Sequence, residues 1–274
     1  MKFFFVINCM LCLFIQSEAA AQKAKLPVCK HSFIVIAHRG DHTQAPENTL
    51  QSCQNAINAG CDFVEIDLRT TKDSVLVIMH DANINRMSDR SGNVKDFLFD
   101  SLRLINVKDK IHPEWGSYPI PSFKEVLNMC KGKINIYLDF KDADVTAAYN
   151  EIAAAGMEKN VVVYVNTMEQ YTQWKSIVPQ MPLMVSLPEN ITAKKELDQF
   201  LNSYTISVLD GNYKQYNAPM IKCASEKGVP VWADVQSNDE SSGIWEKAIA
   251  LGLTGLQTDH PGKLIEYLIR KNIR

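Results

Sequence analysis

Short runs of β-branched and aromatic residues recur along the chain. Between them, apolar positions return at the three-to-four-residue spacing of a helix. Nine runs are predicted as strands: 33–37, 63–68, 75–79, 134–138, 161–165, 183–187, 206–209, 229–235 and 255–257. Several are apolar on both faces, as in Val161-Val162-Val163-Tyr164-Val165, which suits a parallel sheet covered by helices. The segments 48–59, 123–130, 145–155, 169–177, 193–201, 218–227 and 242–251 are predicted as helices. In the first, Leu50, Cys53, Ala56 and Ile57 share a face and Gly60 supplies a C-terminal stop. Pro121-Ser122 marks the start of the second.

This alternation predicts an α/β fold: a TIM (β/α)8 barrel forming a single domain over residues 30–274, with an open doubly wound sheet as the alternative. Nine strands exceed eight barrel places. The link from Leu68 to Val75 is also too short for a helix. One strand is therefore accessory, or the return at that point is extended. Residues 88–121 form the one long irregular stretch, and a loop of that length is functional or inserted. Its Phe97, Leu98, Phe99 and Trp115 make either an apolar rim for a lipid or a satellite core.

Residues 1–21 have the three parts of a secretory signal peptide. Lys2 gives the positive start, an apolar run follows that only Asn8 interrupts, and Ser17-Glu18-Ala19-Ala20-Ala21 offers small residues for cleavage. The run is shorter than a bilayer requires, and a buried N-terminal helix is the plain alternative. Export to the periplasm or beyond the cell is the expectation. Of the seven cysteines, Cys9 and Cys12 fall inside this leader. Cys29, Cys53, Cys61, Cys130 and Cys223 are odd in number and irregularly spaced. They read as small buried apolar residues rather than a disulfide framework or a zinc site.

Composition narrows the function classes. With 274 residues, 46% hydrophobic and 22% charged, the chain is neither collagen-like, coiled-coil nor wholly disordered. A net charge of −2 argues against a nucleic-acid partner, whose affinity comes mostly from neutralised phosphates. No transmembrane segment follows the leader, and oligomeric state is not legible.

Chemistry gathers at the strand ends, where a barrel of this kind places its active site. The first run leads into His38-Arg39-Gly40 and the third into His80-Asp81. The second carries Glu65 and Asp67, two apart and so on one face, while Val64, Ile66 and Leu68 occupy the other. The fourth run leads to Asp139 and Lys141, again two apart. The last two carry Trp232 with Asp234, and Thr258 with Asp259. Confined carboxylates need a cation. Three of them make an oxygen-rich site for Mg²⁺ or Ca²⁺, with zinc less favoured for want of thiolates. Arg39 and Lys141 add positive charge for an anion such as a phosphate. Two imidazoles can serve as general acid and base near neutral pH. That set suits phosphodiester cleavage better than glycoside hydrolysis, which needs no metal or basic cluster. Serine-hydrolase, P-loop and dinucleotide motifs are absent.

At these residues the chain closely resembles the glycerophosphodiester phosphodiesterase family. The shared motifs are His38-Arg39-Gly40 with Pro46-Glu47-Asn48-Thr49 after five residues, Glu65-Ile66-Asp67, Thr71-Lys72-Asp73-Ser74, His80-Asp81, Asp139-Phe140-Lys141, Trp232-Ala233-Asp234-Val235 and Thr258-Asp259-His260-Pro261. The resemblance implies a TIM barrel that hydrolyses glycerophosphodiesters, as small-molecule substrates, to glycerol phosphate and an alcohol. It implies His38 and His80 as the acid/base pair, Glu65, Asp67 and Asp139 as metal ligands, Arg39 and Lys141 on the phosphate, and Trp232 lining the substrate pocket. The nucleophile is water or a neighbouring substrate hydroxyl. Asp139 stands where the family has Glu, and Ser74 where it has a turn Gly. Two other readings remain. One is a related phosphodiesterase or phospholipase D-like enzyme acting on lysophospholipid or another polyol diester. The other is a barrel that binds phosphodiesters without turning them over.

Overall fold

The computed structural model describes residues 24–274; the expected leader at 1–21 lies outside them. Eight parallel strands form the barrel wall: β1 (Ile34–Ala37), β2 (Phe63–Thr70), β6 (Asn135–Phe140), β7 (Val161–Val165), β8 (Leu183–Ser186), β9 (Val208–Asp210), β10 (Trp232–Asp234) and β11 (Gly255–Thr258). Ladder pairing runs β10-β11-β1-β2-β6-β7-β8-β9, and isolated bridges Leu209–Val231 and Asn212–Asp234 bring the two ends together. The TIM-barrel expectation therefore holds, and the open sheet is set aside. Helices α1 (Leu50–Ala59), α3 (Phe123–Cys130), α4 (Val145–Ala155), α5 (Met168–Ile177), α6 (Lys194–Ser203), α7 (Ala218–Glu226), α8 (Ser242–Ala250) and α9 (Pro261–Arg270) pack outside the strands.

The wall separates two apolar layers. Outward residues such as Val64, Ile66, Leu68, Ile136 and Leu138 join the helices in the main core. Inward, Ile34, Ile36, Phe63, Tyr137, Val162, Met184, Val208 and Trp232 fill the barrel interior. Phe63 points inward, so by the two-residue period Glu65 and Asp67 do as well. Trp232 packs on Phe63 with ring centroids 5.0 Å apart, in the filled layer below the carboxylates. Gly255 makes room for it: an added Cβ there would lie 2.6 Å from the indole Cδ1.

The surplus ninth strand is resolved by direction. Strand β3 (Leu76–Ile78) runs antiparallel to β2, with Leu68 opposite Ile78 and Thr70 opposite Leu76. It is an accessory return rather than the third barrel strand, so His80 does not end a wall strand. Instead β2 rises beyond the mouth, the chain turns at Ser74 with φ +63°, and β3 descends to deliver His80 beside Asp67. The hydrogen bond from Met79 N–H to Asp67 O (2.9 Å) marks that level.

The stretch 88–121 is more regular than expected. It holds the one-turn helix α2 (Phe99–Leu102) and a hairpin of β4 (Asn106–Lys108) with β5 (Ser117–Pro119). Val94, Leu102, Val107 and Ile120 bury a satellite core with Val77, Met79, Ile84 and Met87, and Phe97 and Phe99 pack against it. Of the four candidate rim residues, Phe97 and Phe99 thus belong to the satellite core. Helix α9 lies outside the predicted elements, although Pro261 at its first turn and buried Leu264, Tyr267 and Leu268 carry a helical signal. The five cysteines among the described residues are all free, and four are buried. No helix among these residues is long and apolar enough to cross a membrane.

Candidate active site

The mouth of the barrel gathers the predicted residues by register. Asp67 on β2 and Asp139 on β6 are ladder partners, and Glu65 sits one interior step below Asp67. Carboxylate oxygens of Glu65, Asp67 and Asp139 all lie within 4.8 Å of one another. Glu65 and Asp67 are buried, at 2% and 1% exposure. Hydrogen-bond donors hold them in place. Arg39 N–H donates to Glu65 Oε2 at 2.6 Å, and Asn48 Nδ2 donates to Asp67 Oδ2 at 2.7 Å. Asn166 Nδ2 donates to Asp139 Oδ1 at 2.8 Å. Lys141 Nζ bridges Asp139 and Asp67, at 3.1 Å from the latter.

Charge is unequally shared in this cluster. Burial, then the neighbouring Asp67 and Asp139, push the Glu65 carboxyl well above its ordinary range. Burial also raises Asp139, with Asp67 adding to the effect. At Asp67 burial acts upward too, but Lys141, His80 and Arg39 outweigh it and hold the carboxyl below its usual value. Burial would lower the Lys141 ammonium; Asp67 and Asp139 reverse that and lift it to about 12. Three all-oxygen ligands with surplus negative charge, part-neutralised only by lysine and arginine, fit a hard divalent cation.

Each histidine is tied to a carboxylate through Nδ1. His38 Nδ1 meets Asp259 Oδ1 at 2.7 Å, and His80 Nδ1 meets Asp81 Oδ1 at 2.7 Å. A carboxylate only accepts, so Nδ1 carries the hydrogen and Nε2 is left free in both rings. The sharp exit from β1 depends on backbone conformation. Arg39 takes φ +54° and Gly40 φ +80°. A Cβ on Gly40 would sit 2.4 Å from Ser52 Oγ and 2.7 Å from its carbonyl carbon, so only glycine fits. Turning this way aims Arg39 N–H at Glu65 and leaves Arg39 Nε buried without a hydrogen bond, 3.8 Å from Asp67 Oδ2.

Several functional side chains carried no assigned role in the sequence. Glu47 and Asn48 belong to the Pro-Glu-Asn-Thr motif; Asn48, at φ +56°, reaches back to Asp67, and Glu47 receives Arg39 Nη1 at 3.0 Å. Asp259 directly follows β11 and Asp81 comes three residues after β3, and a place just past a strand run was the available signal. Asn166 follows β7 in the same way. Arg86 was likewise given no role. Its guanidinium spans Asp81 Oδ2 (Nε, 2.8 Å) and both oxygens of Glu47 (2.6 and 3.0 Å). It thereby joins the carboxylate that orients His80 to the one that holds Arg39. Burial would raise Asp81, but hydrogen bonds from Arg86 and His80 hold it down at about 2. Arg86→Met is expected to lower kcat about 10–100-fold, the scale for losing an outer-shell partner. KM should change less, because Arg86 touches the carboxylates that hold His80 and Arg39 rather than substrate. Steady-state kinetics of the variant, with kcat unchanged as the contrary result, checks this.

Of the residues named from sequence, the structure brings His38, Arg39, Glu65, Asp67, His80, Asp139 and Lys141 to one end of the barrel. Trp232 it places deeper, 4% exposed in the interior layer. The model of the glycerophosphoryl diester phosphodiesterase family matches residues 38–263, a span that holds every one of them. The chain belongs to this family. It is therefore a phosphoric diester hydrolase of the glycerophosphodiester phosphodiesterase type. Similar relatives include a glycerophosphodiester phosphodiesterase from Bacillus subtilis, 23% identical and aligned over 92% of both chains. Another, from Caldanaerobacter subterraneus subsp. tengcongensis, is 25% identical over 87% of this chain and 98% of its own. Among solved structures, an Oleispira antarctica phosphodiesterase in complex with the product sn-glycerol-3-phosphate has a TM-score of 0.76. It is 21% identical and covers 86% of this chain and 96% of its own. That likeness shows the common barrel.

Proposed function

We propose that the protein hydrolyses glycerophosphodiesters to glycerol phosphate and an alcohol, with His38 and His80 as the acid/base pair and a divalent cation, Mg²⁺ or Ca²⁺, held by Glu65, Asp67 and Asp139. The observation that carries this reading is the convergence of the three carboxylates within 4.8 Å at the mouth that also receives both Asp-anchored histidines. The cation supplies Lewis acidity toward non-bridging phosphoryl oxygens. Arg39 offers its unpaired Nε, and Lys141 its ammonium, to the same anion. One imidazole Nε2 takes the proton from the attacking oxygen, which belongs to water or a substrate hydroxyl. The other returns a proton to the departing alcohol oxygen as the phosphorus–oxygen ester bond breaks. Asp81 and Asp259 keep each ring in the tautomer this exchange needs and stabilise its cationic form. Trp232 supports the pocket floor from below. We also read residues 1–21 as a signal peptide, on their charge and hydropathy pattern, so the enzyme acts in the periplasm or outside the cell.

A lysophospholipid substrate draws support from Leu104 and Ile111, which stand 86% and 83% exposed on the segment after β3. Both readings are tested by one experiment. Chelator-treated protein is offered glycerophosphocholine, glycerophosphoethanolamine, glycerophosphoglycerol and lysophosphatidylcholine, then supplied with Mg²⁺ or Ca²⁺. Release of glycerol phosphate, absent with chelator and restored by a metal, is the expected result. Turnover confined to the lysolipid would move the assignment to the second reading. No turnover of any diester with either metal would end the first.

A further inference from the structure

Strands β10 and β11 pair as far as Asp234 opposite Gln257, with one more bond from Val235 N–H to Gln257 O at 3.0 Å. Past that point the chain after β10 leaves the barrel wall, and the N–H of Asp259 lies beyond the last ladder pair. A buried backbone donor needs an acceptor, and here a side chain takes the strand's place. A turn closed by Glu240 N–H on Ser237 O (3.0 Å) brings Glu240 back over the end of β11. Its Oε2 accepts the Asp259 N–H at 3.1 Å. Its Oε1 accepts both the Thr258 hydroxyl and Trp245 Nε1, the latter at 2.8 Å. Trp245 is buried in α8 and packs on Tyr267 of α9 with ring centroids 5.6 Å apart, so this anchor belongs to the packed helical layer.

The two residues that Glu240 grips on β11 are the two that hold His38. Thr258 is the ladder partner of Ala37, and its carbonyl accepts the His38 N–H at 3.1 Å. Asp259 meets the His38 ring at Nδ1 at 2.7 Å. Backbone and imidazole of His38 therefore both depend on the peptide that Glu240 fixes. Asp259 has a short side chain that is 30% exposed, so where its carboxylate reaches is set by where its backbone stands. Burial acts upward on that carboxyl, but His38, His42 and Arg39 outweigh it and hold it below its usual range, as an ionised acceptor. The two histidines are thus supported differently. Arg86 orients Asp81 through its carboxylate, whereas Glu240 orients Asp259 through its peptide N–H.

We propose that Glu240 is a positioning residue for the phosphodiester reaction: it clamps the Thr258–Asp259 peptide at the end of β11 and so sets the tautomer and aim of the His38 ring. The proposal rests on the reading of His38 as one of the acid/base pair, and adds a residue from a separate loop on which that role depends. Glu240 touches neither substrate nor cation in this scheme; it acts through Asp259. A misplacement of about 1 Å at a reacting group costs on the order of 10²-fold in rate, so a lost clamp is felt at the chemistry.

The test is a double-mutant cycle on glycerophosphocholine hydrolysis with Mg²⁺ or Ca²⁺ supplied. In Glu240→Gln, either orientation of the amide turns its NH2 group toward a donor N–H that the carboxylate accepted. Its kcat should fall about 10–100-fold, with KM within about twofold. In a His38→Ala background the same change should cost no more than about twofold, because its effect passes through the missing ring. Should Glu240→Gln melt early, Glu240→Asp serves in the cycle, since it keeps the charge and shortens the reach by one methylene. Nitrogen-15 shifts of the histidine rings give a reading independent of turnover: His38 should lose its fixed Nδ1–H tautomer in the Glu240 variant while His80 keeps its own. Full additivity in the cycle, an unchanged kcat, or an unchanged His38 ring each overturn the proposal. A His38→Ala variant of near-full activity removes the acid/base reading as well; a slow His38→Ala beside an unimpaired Glu240→Gln removes only this inference.

Discussion

Alanine in place of His80 is expected to lower kcat by about 10²–10⁴-fold, and alanine at His38 to do the same. The reason is positional. Each ring is held through Nδ1 by its own carboxylate at 2.7 Å, so each presents a free Nε2 of defined tautomer. Neither imidazole is part of the hydrophobic clusters, so its removal takes little from the packed interior. Thermal unfolding should stay within a few degrees of the wild type, as for a change of about 1 kcal/mol in a chain of this size. Single-turnover assays read the effect on chemistry directly. A variant that keeps near-full turnover would strip that histidine of its catalytic role.

The second large effect concerns the cation site proposed at the three carboxylates. Asp67→Asn should reduce turnover about 10³-fold, since a bound cation is worth several kcal/mol of charge stabilisation and each 1.36 kcal/mol is tenfold in rate. The polar contacts of Asn48 and Lys141 with this position survive in part, so the fold should persist. Metal binding should also depend on pH in a definite sense. Burial and the neighbouring carboxylates raise Glu65 and Asp139, so these groups retain protons above the ordinary carboxylate range. A cation must displace them. Apparent affinity therefore rises with pH, and protons are released on binding. Calorimetry in two buffers of different ionisation heat measures the release directly. Binding with no proton release, at an affinity flat across about pH 5–8, would show that the cation sits elsewhere.

The barrel strands were legible because parallel strands buried on both faces are apolar along their whole length, as Val161 to Val165 show. Helices α3 and α4 end where the patterns at 123–130 and 145–155 end, since Ser122 and Asp144 cap their starts and Gly156 closes the second. The direction of β3 was half legible: the link from Leu68 to Val75 is too short for a helical crossover, but its residues read as a buried strand either way, and the local pairing with Leu68, Arg69 and Thr70 is what makes it antiparallel. Glu65 and Asp67 were readable as a pair from their two-residue spacing. The approach of Asp139 to them needed the register that puts it opposite Asp67. Arg86 was silent because nothing local in a loop distinguishes a guanidinium that spans two carboxylates from a solvated one. Asn166 was silent for a similar reason: its target, Asp139, is 27 residues away.

The antiparallel return of β3 divides the proposed catalytic residues between two kinds of support. The carboxylates and His38 stand on or directly beside the wall strands, so they share the fate of the whole barrel. His80, Asp81 and Arg86 hang from an appended arm whose apolar cluster is largely its own. That makes the arm an exchangeable cassette. Length and sequence between Arg86 and Pro121 can be redrawn, as a graft from another member of the family would do, without disturbing Glu65, Asp67 and Asp139. One protease cut within that segment would separate the two supports in a single step. The barrel would keep its unfolding temperature and its carboxylate cluster while turnover fell, and limited proteolysis followed by parallel melting and activity measurements would display the division.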